Sequence, residues 1–279
     1  MHCCEQNSAK ETTGLKARSI LYHDVTEPGD YDSSGFPGPA AGHYKLAWPD
    51  FEQHLKAIRG TLKSGPVTIF DLLDETAHQA GVLLTFDDGG ISMLRIAERL
   101  QEYGWRAHFF ISTDYIGKPG FLKAEHIVEL RRSGHVIGSH SCSHPRRMSS
   151  CSWDQLLTEW KQSADILAQI VAEPITVASV PGGNYSRKVA QAAAEAGMKV
   201  LFTSEPTVRP QVVDGCQVLG RYGIVRGMSA VSAANLAAGR WAPCVQQLVT
   251  WKMKMALKSI GGNYYERFRD LCFGESGSA

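Results

Sequence analysis

The sequence predicts an α/β fold of the (β/α)-barrel kind. Short apolar runs rich in Val, Ile and Phe recur along the chain, as strands buried on both faces require. Amphipathic helical patterns separate them, which implies βαβ crossovers. Reactive side chains stand at the ends of several runs, which favours a barrel over a doubly wound sheet.

In chain order, strands are expected at 19–22, 67–70, 82–86, 107–111, 136–139, 176–180, 200–203 and 218–221. Pro49, a first-turn proline, opens a helix through Arg59. Residues 92–103 place Met93, Ile96, Ala97 and Leu100 on one face, and Gly104 ends that helix. Further helices run over 124–133, from a Ser152 or Asp154 cap to Ile170, and over 186–196. Beyond Gly227 the pattern is helical without clear strands. The division expected is therefore a loose tail at 1–17, a barrel domain at 18–226 and a helical C-terminal extension at 227–279 packed on the barrel.

The 279 residues can bury a full core, and a net charge of +1 gives no general polyanion-binding signature, so nucleic acid is not an expected partner. No run of about 18 apolar residues occurs, so no membrane span is expected. No apolar h-region follows Met1, and the seven cysteines form no regular framework. Both point to a cytoplasmic protein with reduced thiols. Cys3-Cys4 could be a lipidation or metal site, against incidental thiols in a tail.

Residues 30–43 form a long Gly/Pro-rich loop, which is either a substrate cover or a floppy insertion. The 245–260 segment interleaves Lys252, Lys254 and Lys258 with apolar residues. It reads either as a helix packed on the barrel or as a basic amphipathic helix giving peripheral contact with the inner membrane face.

The chemistry concentrates in two places. Asp87-Asp88-Gly89-Gly90 ends an apolar strand, and adjacent carboxylates at a strand end are tolerated mainly where a cation or proton is shared. About 50 residues later comes His140-Ser141-Cys142-Ser143-His144. A metal that activates water needs about three protein ligands, an open position and a base. Asp88, His140 and His144 can supply the ligands, and Asp87 then remains as the base. One helical turn would bring the two imidazoles to the same side.

Thr85-Phe86-Asp87-Asp88-Gly89 resembles the first motif of polysaccharide deacetylases, the NodB-homology carbohydrate esterases. His140-Ser141-Cys142-Ser143-His144 resembles their second motif, and Ser179-Val180-Pro181-Gly182-Gly183 a degenerate third. The resemblance spans roughly 19–226. It implies a distorted (β/α) barrel and metal-dependent hydrolysis of an N-acetyl or O-acetyl group. It also implies Asp87 as general base and one divalent ion on Asp88, His140 and His144. Zinc is the first candidate, with cobalt, nickel or iron as others. The Gly182 N–H, flanked by Pro181 and Gly183, would help hold the oxyanion.

Two departures stand out. The third-motif Arg is Ser179, and no histidine follows His144 to serve as general acid. Tyr22-His23-Asp24-Val25 is similar to the opening motif of the branch that deacetylates poly-N-acetylglucosamine, so His23 is the candidate acid. Arg221, at the end of a late strand, is the candidate replacement guanidinium for Asp87. His108 and His135 read as structural. Trp48, beside the long loop, is the tryptophan best placed to stack on a sugar.

The expected activity is removal of an acetyl or related acyl group from an amino sugar, with a nucleotide-linked or lipid-linked precursor as the fitting substrate. Two other readings are a relative acting on small cyclic amides and an inactive carbohydrate-binding barrel.

Overall fold

Leu83, Phe110, Val136, Val177, Val200, Phe202 and Leu219 come from six different parallel strands and meet in one buried cluster. A sheet must curl for side chains so far apart in strand order to touch. The computed structural model, which describes residues 16–74 and 80–256, shows how it curls. Its strands are β1 (Lys16–Tyr22), β2 (Val25–Thr26), β3 (Leu46–Ala47), β4 (Ala80–Phe86), β5 (His108–Ile111) and β6 (Val136–Ser139). Then follow β7 (Val177–Ser179), β8 (Val200–Phe202), β9 (Gln211–Val213), β10 (Cys216–Leu219) and β11 (Arg221–Gly223).

The nine-stranded sheet has the order β11-β1-β4-β5-β6-β7-β8-β10-β9, parallel throughout except for β9. Only Gly220 separates β10 from β11. The first half of this run pairs with β8 and the second with β1, so the sheet meets its own first strand. A Cβ at Gly220 would collide with the Glu205 carbonyl oxygen, so the crossing between partners needs glycine.

Helices cover the outside: α1 (Pro39–Gly42), α2 (Trp48–Thr61), α3 (Ile69–Leu73), α4 (Met93–Glu102), α5 (Ala124–Arg132), α6 (Trp153–Val171), α7 (Arg187–Glu195) and α8 (Ala230–Ala238). A ninth, α9, occupies residues 241–256. Strand residues alternate between the inner cluster and a larger outer one shared with the helices. On β4, Val82, Leu84 and Phe86 face outward, and Leu83 faces in. The C-terminal extension docks by laying α8 across α2 and β1.

Four expectations need correction. Residues 67–70 are not a strand. Thr68 caps α3 in a reciprocal box with Asp71, and that local bonding outweighs the apolar composition. Ile69 and Leu72 of α3 then plug the inner cluster from below. The tail cannot extend to residue 17, because Lys16 and Ala17 already pair with Ala80 and Gly81. The 218–221 strand is two strands broken at Gly220. The 30–43 loop contains α1 and is tied down. The buried Lys45 Nζ donates to the carbonyls of Tyr31, Ser34 and Phe36 at 2.5–2.7 Å.

Ser152 rather than Asp154 caps α6. The C-terminal helix begins at Trp241, earlier than expected, and Lys258 and Ile260 lie outside the described residues, as do Cys3 and Cys4.

Candidate metal centre and carboxylate pair

Strand register sets the site. Tyr22 aligns with Phe86, which puts the next residues, His23 and Asp87, side by side at the C-terminal ends of β1 and β4. Ser139 aligns with Ala178, which likewise brings His140 beside Ser179. Continuing the alternation on β4 turns Asp87 inward. Asp88 has a φ of 86°, and this left-handed turn keeps its carboxylate at the same mouth instead of flipping it away.

His140 and His144 do not lie on a helical turn. Ser141 and His144 both take positive φ, 63° and 56°, and wrap the segment into a tight loop. Short polar side chains bond that loop locally. The Ser139 hydroxyl accepts from the Ser141 N–H, and the Ser141 hydroxyl accepts from the His144 N–H. Glu159 of α6 accepts the N–H groups of Cys142 and Ser143 at 2.8 and 2.9 Å, and also the Ser143 hydroxyl. Sequence reading had not singled out Glu159.

The two Nε2 atoms of His140 and His144 each lie 3.4 Å from Asp88 Oδ1. The ligating atoms of Asp88, His140 and His144 all lie within 4.8 Å of one another. His140 Nδ1 donates to the Ser179 carbonyl at 3.1 Å, which orients the ring so that Nε2 faces Asp88. Two imidazoles and a carboxylate converging in a buried pocket fit a divalent cation of the zinc type. Burial pushes the Asp88 carboxyl up. The hydrogen bonds from His140 and His144 outweigh it and hold the group well below the usual carboxylate range. Burial likewise pushes His144 down, and Asp88 more than reverses it.

Asp87, whose Oδ2 lies 3.8 Å from His140 Nε2, is gripped by Arg221. The guanidinium donates to Asp87 Oδ1 and Oδ2 at 2.7 and 2.8 Å. It also donates to the Ser179 hydroxyl at 2.8 Å and to the Thr203 carbonyl at 3.0 Å. The Ser179 hydroxyl in turn donates to Asp87 Oδ2 at 3.0 Å. Arg221 is fully buried between Phe110 and Phe202. A serine at position 179 is small enough to admit this guanidinium and polar enough to bond it. Burial alone would raise Asp87, but the Arg221 charge holds its carboxyl below the ordinary value.

His23 is half-buried near both carboxylates, with its ring 5.1 Å from that of the half-exposed Tyr44. Its Nδ1 is buried without a hydrogen-bond partner among the described residues. The 30–43 loop closes the opposite side. Phe36 places its ring 4.6 Å from His144 and edge-on to Tyr115 and Phe121. Pro181, Gly182 and Gly183 form a turn just beyond β7, with Gly182 exposed at a φ of 59°.

Trp48 is not at this mouth. It is 7% exposed, opens α2 and lies under the Arg95 guanidinium at 4.0 Å. A surface cleft of about 670 Å³ lies there, between α2 and α4, and its Arg95 and Arg99 are engaged by Glu27 and Glu52. His108 and His135 are core residues: His108 bridges the Leu84 carbonyl and the Ile69 N–H, and His135 accepts the Ala107 N–H.

Residues 74–201, which contain both carboxylates and both converging histidines, match the family described as polysaccharide deacetylase. Over that stretch the chain is similar to polysaccharide deacetylases. It is 27% identical over 215 residues to YxkH of Bacillus subtilis (strain 168), which carries a polysaccharide deacetylase name; the alignment covers 75% of this chain and 72% of that one. The fold is similar to that of the Streptococcus pyogenes deacetylase PplD, with a TM-score of 0.65, 21% identity, and coverage of 78% of this chain and 96% of that one. It is also similar to IcaB from Ammonifex degensii, with a TM-score of 0.64, 21% identity, and coverage of 81% and 98%.

Proposed function

We propose that this chain is a polysaccharide deacetylase that depends on a divalent metal, zinc first, and frees the amine of an N-acetylated amino sugar. The single observation that carries the reading is the division of the carboxylate pair. Asp88 converges with His140 and His144, while Asp87 is held separately by Arg221. When bound there, a divalent ion would supply the charge that makes water acidic and the acyl carbonyl electrophilic.

The residues do the rest. Asp87 takes the proton from the attacking water, and Arg221 fixes the direction of its lone pairs. The Gly182 N–H, in a turn flanked by Pro181 and Gly183, donates to the developing oxyanion. His23, from the first strand, gives a proton to the departing amine. Tyr44 beside it orients the imidazole, and Phe36 keeps water from the His144 side.

Of the alternatives, an inactive carbohydrate-binding barrel is disfavoured by Arg221, which supplies the guanidinium that Ser179 lacks. Hydrolysis of small cyclic amides is disfavoured by the family likeness, which points to carbohydrate. The finer substrate we propose is a lipid-linked or nucleotide-linked glycan precursor carrying N-acetylglucosamine-type units. The test is acetate release from a panel of N-acetylated sugars, free, nucleotide-linked, lipid-linked and polymeric, by purified protein with and without chelator. Chelator-sensitive release from an amino sugar is expected. Release only from small amides, or none from any sugar after zinc loading, would overturn the reading.

A further inference from the structure

We propose that the outer face of α9 seats the protein on an anionic lipid surface. Trp241, Val245, Val249 and Met253 recur every fourth residue and are 78%, 46%, 50% and 61% exposed. Such spacing lays them along one side of a helix. The opposite side fastens the helix to the barrel. Cys244 packs against the outer core, and Gln247 Nε2 donates to the Gly223 carbonyl at 2.7 Å. The apolar stripe is therefore held outward by a rigid support.

Charge decides what covers it. Lys252 lies on the stripe's side of the helix, Lys254 stands past Met253 toward the rim, and both are exposed. Between Asp214 and Glu266 the sequence carries, besides the buried Arg221, the cations Arg226, Arg240, Lys252, Lys254 and Lys258 and no acidic residue, in a chain whose net charge is only +1. A second copy would set these cations against their like. An interface of anionic headgroups over acyl chains satisfies both the stripe and its lysines, and Trp241 is suited to the headgroup level.

Position connects the helix to the site. Gly239, just before α9, lies against Arg18 of β1, whereas Lys254 lies near His43 of the 30–43 loop. The helix thus rises alongside the barrel to the rim that carries the carboxylates. A lipid-seated α9 would hold that rim at headgroup level. The proposal stands on the helix alone and is independent of the substrate reading.

The test is flotation of the full chain with phosphatidylcholine vesicles, with and without phosphatidylglycerol. Binding is expected only with phosphatidylglycerol, and it should weaken as salt rises. Trp241→Ser/Val249→Ser and Lys252→Glu/Lys254→Glu should each lower the partition coefficient by about tenfold or more. All four positions are exposed, so melting temperatures should match the parent chain. Failure of the parent chain to bind phosphatidylglycerol vesicles overturns the proposal. So does binding that survives both variants, or a solution dimer that the Trp241→Ser/Val249→Ser variant dissolves.

Discussion

Arg221 grips Asp87 through two near-parallel hydrogen bonds of 2.7 and 2.8 Å, with side-chain exposures of only 0% and 3%. A buried fork of this kind is costly to break from one side, because the remaining partner is left as an uncompensated charge. Arg221→Met should destabilise the fold by about 3–5 kcal/mol and sharply lower kcat. Asp87→Asn should also destabilise it. The double variant should cost less than the sum of the two, with a coupling of about 0.5–3 kcal/mol in urea unfolding. Arg221→Lys keeps the charge without the fork and should fall between the parent and Arg221→Met. Strict additivity would show that the two residues do not act as a unit.

Zinc binding should stabilise the fold through the same pocket. With free zinc at about 100 times Kd, unfolding should become harder by about 2.7 kcal/mol, read as a rise in melting temperature that chelator removes. Asp88→Asn and His144→Gln should abolish that increment and lower metal content together. If the rise persists in Asp88→Asn, the cation sits elsewhere.

Much of this site was legible in the sequence because strand ends in parallel barrels converge. Once 19–22, 82–86 and 136–139 are read as parallel strands of one barrel, His23, Asp87 and His140 follow at one mouth. Other features depend on contacts that no local pattern encodes. Ser179 reads as a lost arginine until Arg221, 42 positions later, is seen bonding its hydroxyl. The pair of histidines four apart suggests a helix, yet the serines between and before them favour side-chain-to-backbone bonds and a left-handed loop. Residues 67–70 look like a strand by composition, but the Thr68–Asp71 box starts a helix. Lys45 and Glu159 look like ordinary surface charges, and only the folded chain shows them clamping loops.

The Glu159 clamp has a measurable consequence. Its carboxylate holds two N–H groups and a hydroxyl of the loop that presents His144. Glu159→Gln should keep the helix but loosen that loop, and zinc affinity should fall about 10–100-fold, the range seen for groups that orient metal ligands. Competition titration against a chelating dye reads the change. Unaltered affinity would show that the loop holds itself.

The Lys45 clamp bears on the other wall. Lys45→Met removes three hydrogen bonds from a charged donor to the Tyr31, Ser34 and Phe36 carbonyls, each worth about 1.5–3 kcal/mol at most in such settings. The loop should become open to proteolysis and Phe36 should leave His144. KM should rise more than kcat falls. Unchanged cleavage within 30–43 under limited proteolysis would mean that α1 and its turns suffice.

The two core histidines contribute to the loss of stability toward acid. Burial pushes both His108 and His135 down to about 4. His108 Nε2 accepts the Ile69 N–H and its Nδ1 donates to the Leu84 carbonyl, so a second proton would break a bond that starts α3. His135 Nδ1 accepts the Ala107 N–H in the same way. Unfolded imidazoles titrate near 6.5, so between about pH 6.5 and 4 the unfolded chain binds more protons than the folded one. Stability contributed by these neutral rings is full above that window and is lost as pH falls through it, on the order of 3 kcal/mol for each ring. Calorimetry in chelator, which removes any contribution from metal release, should show the melting temperature falling across this window. His135→Asn, whose amide oxygen can accept the Ala107 N–H without titrating, should show a shallower fall. A melting temperature that stays flat from about pH 6.5 to 4 would mean that both rings charge without resistance, contrary to their bonding.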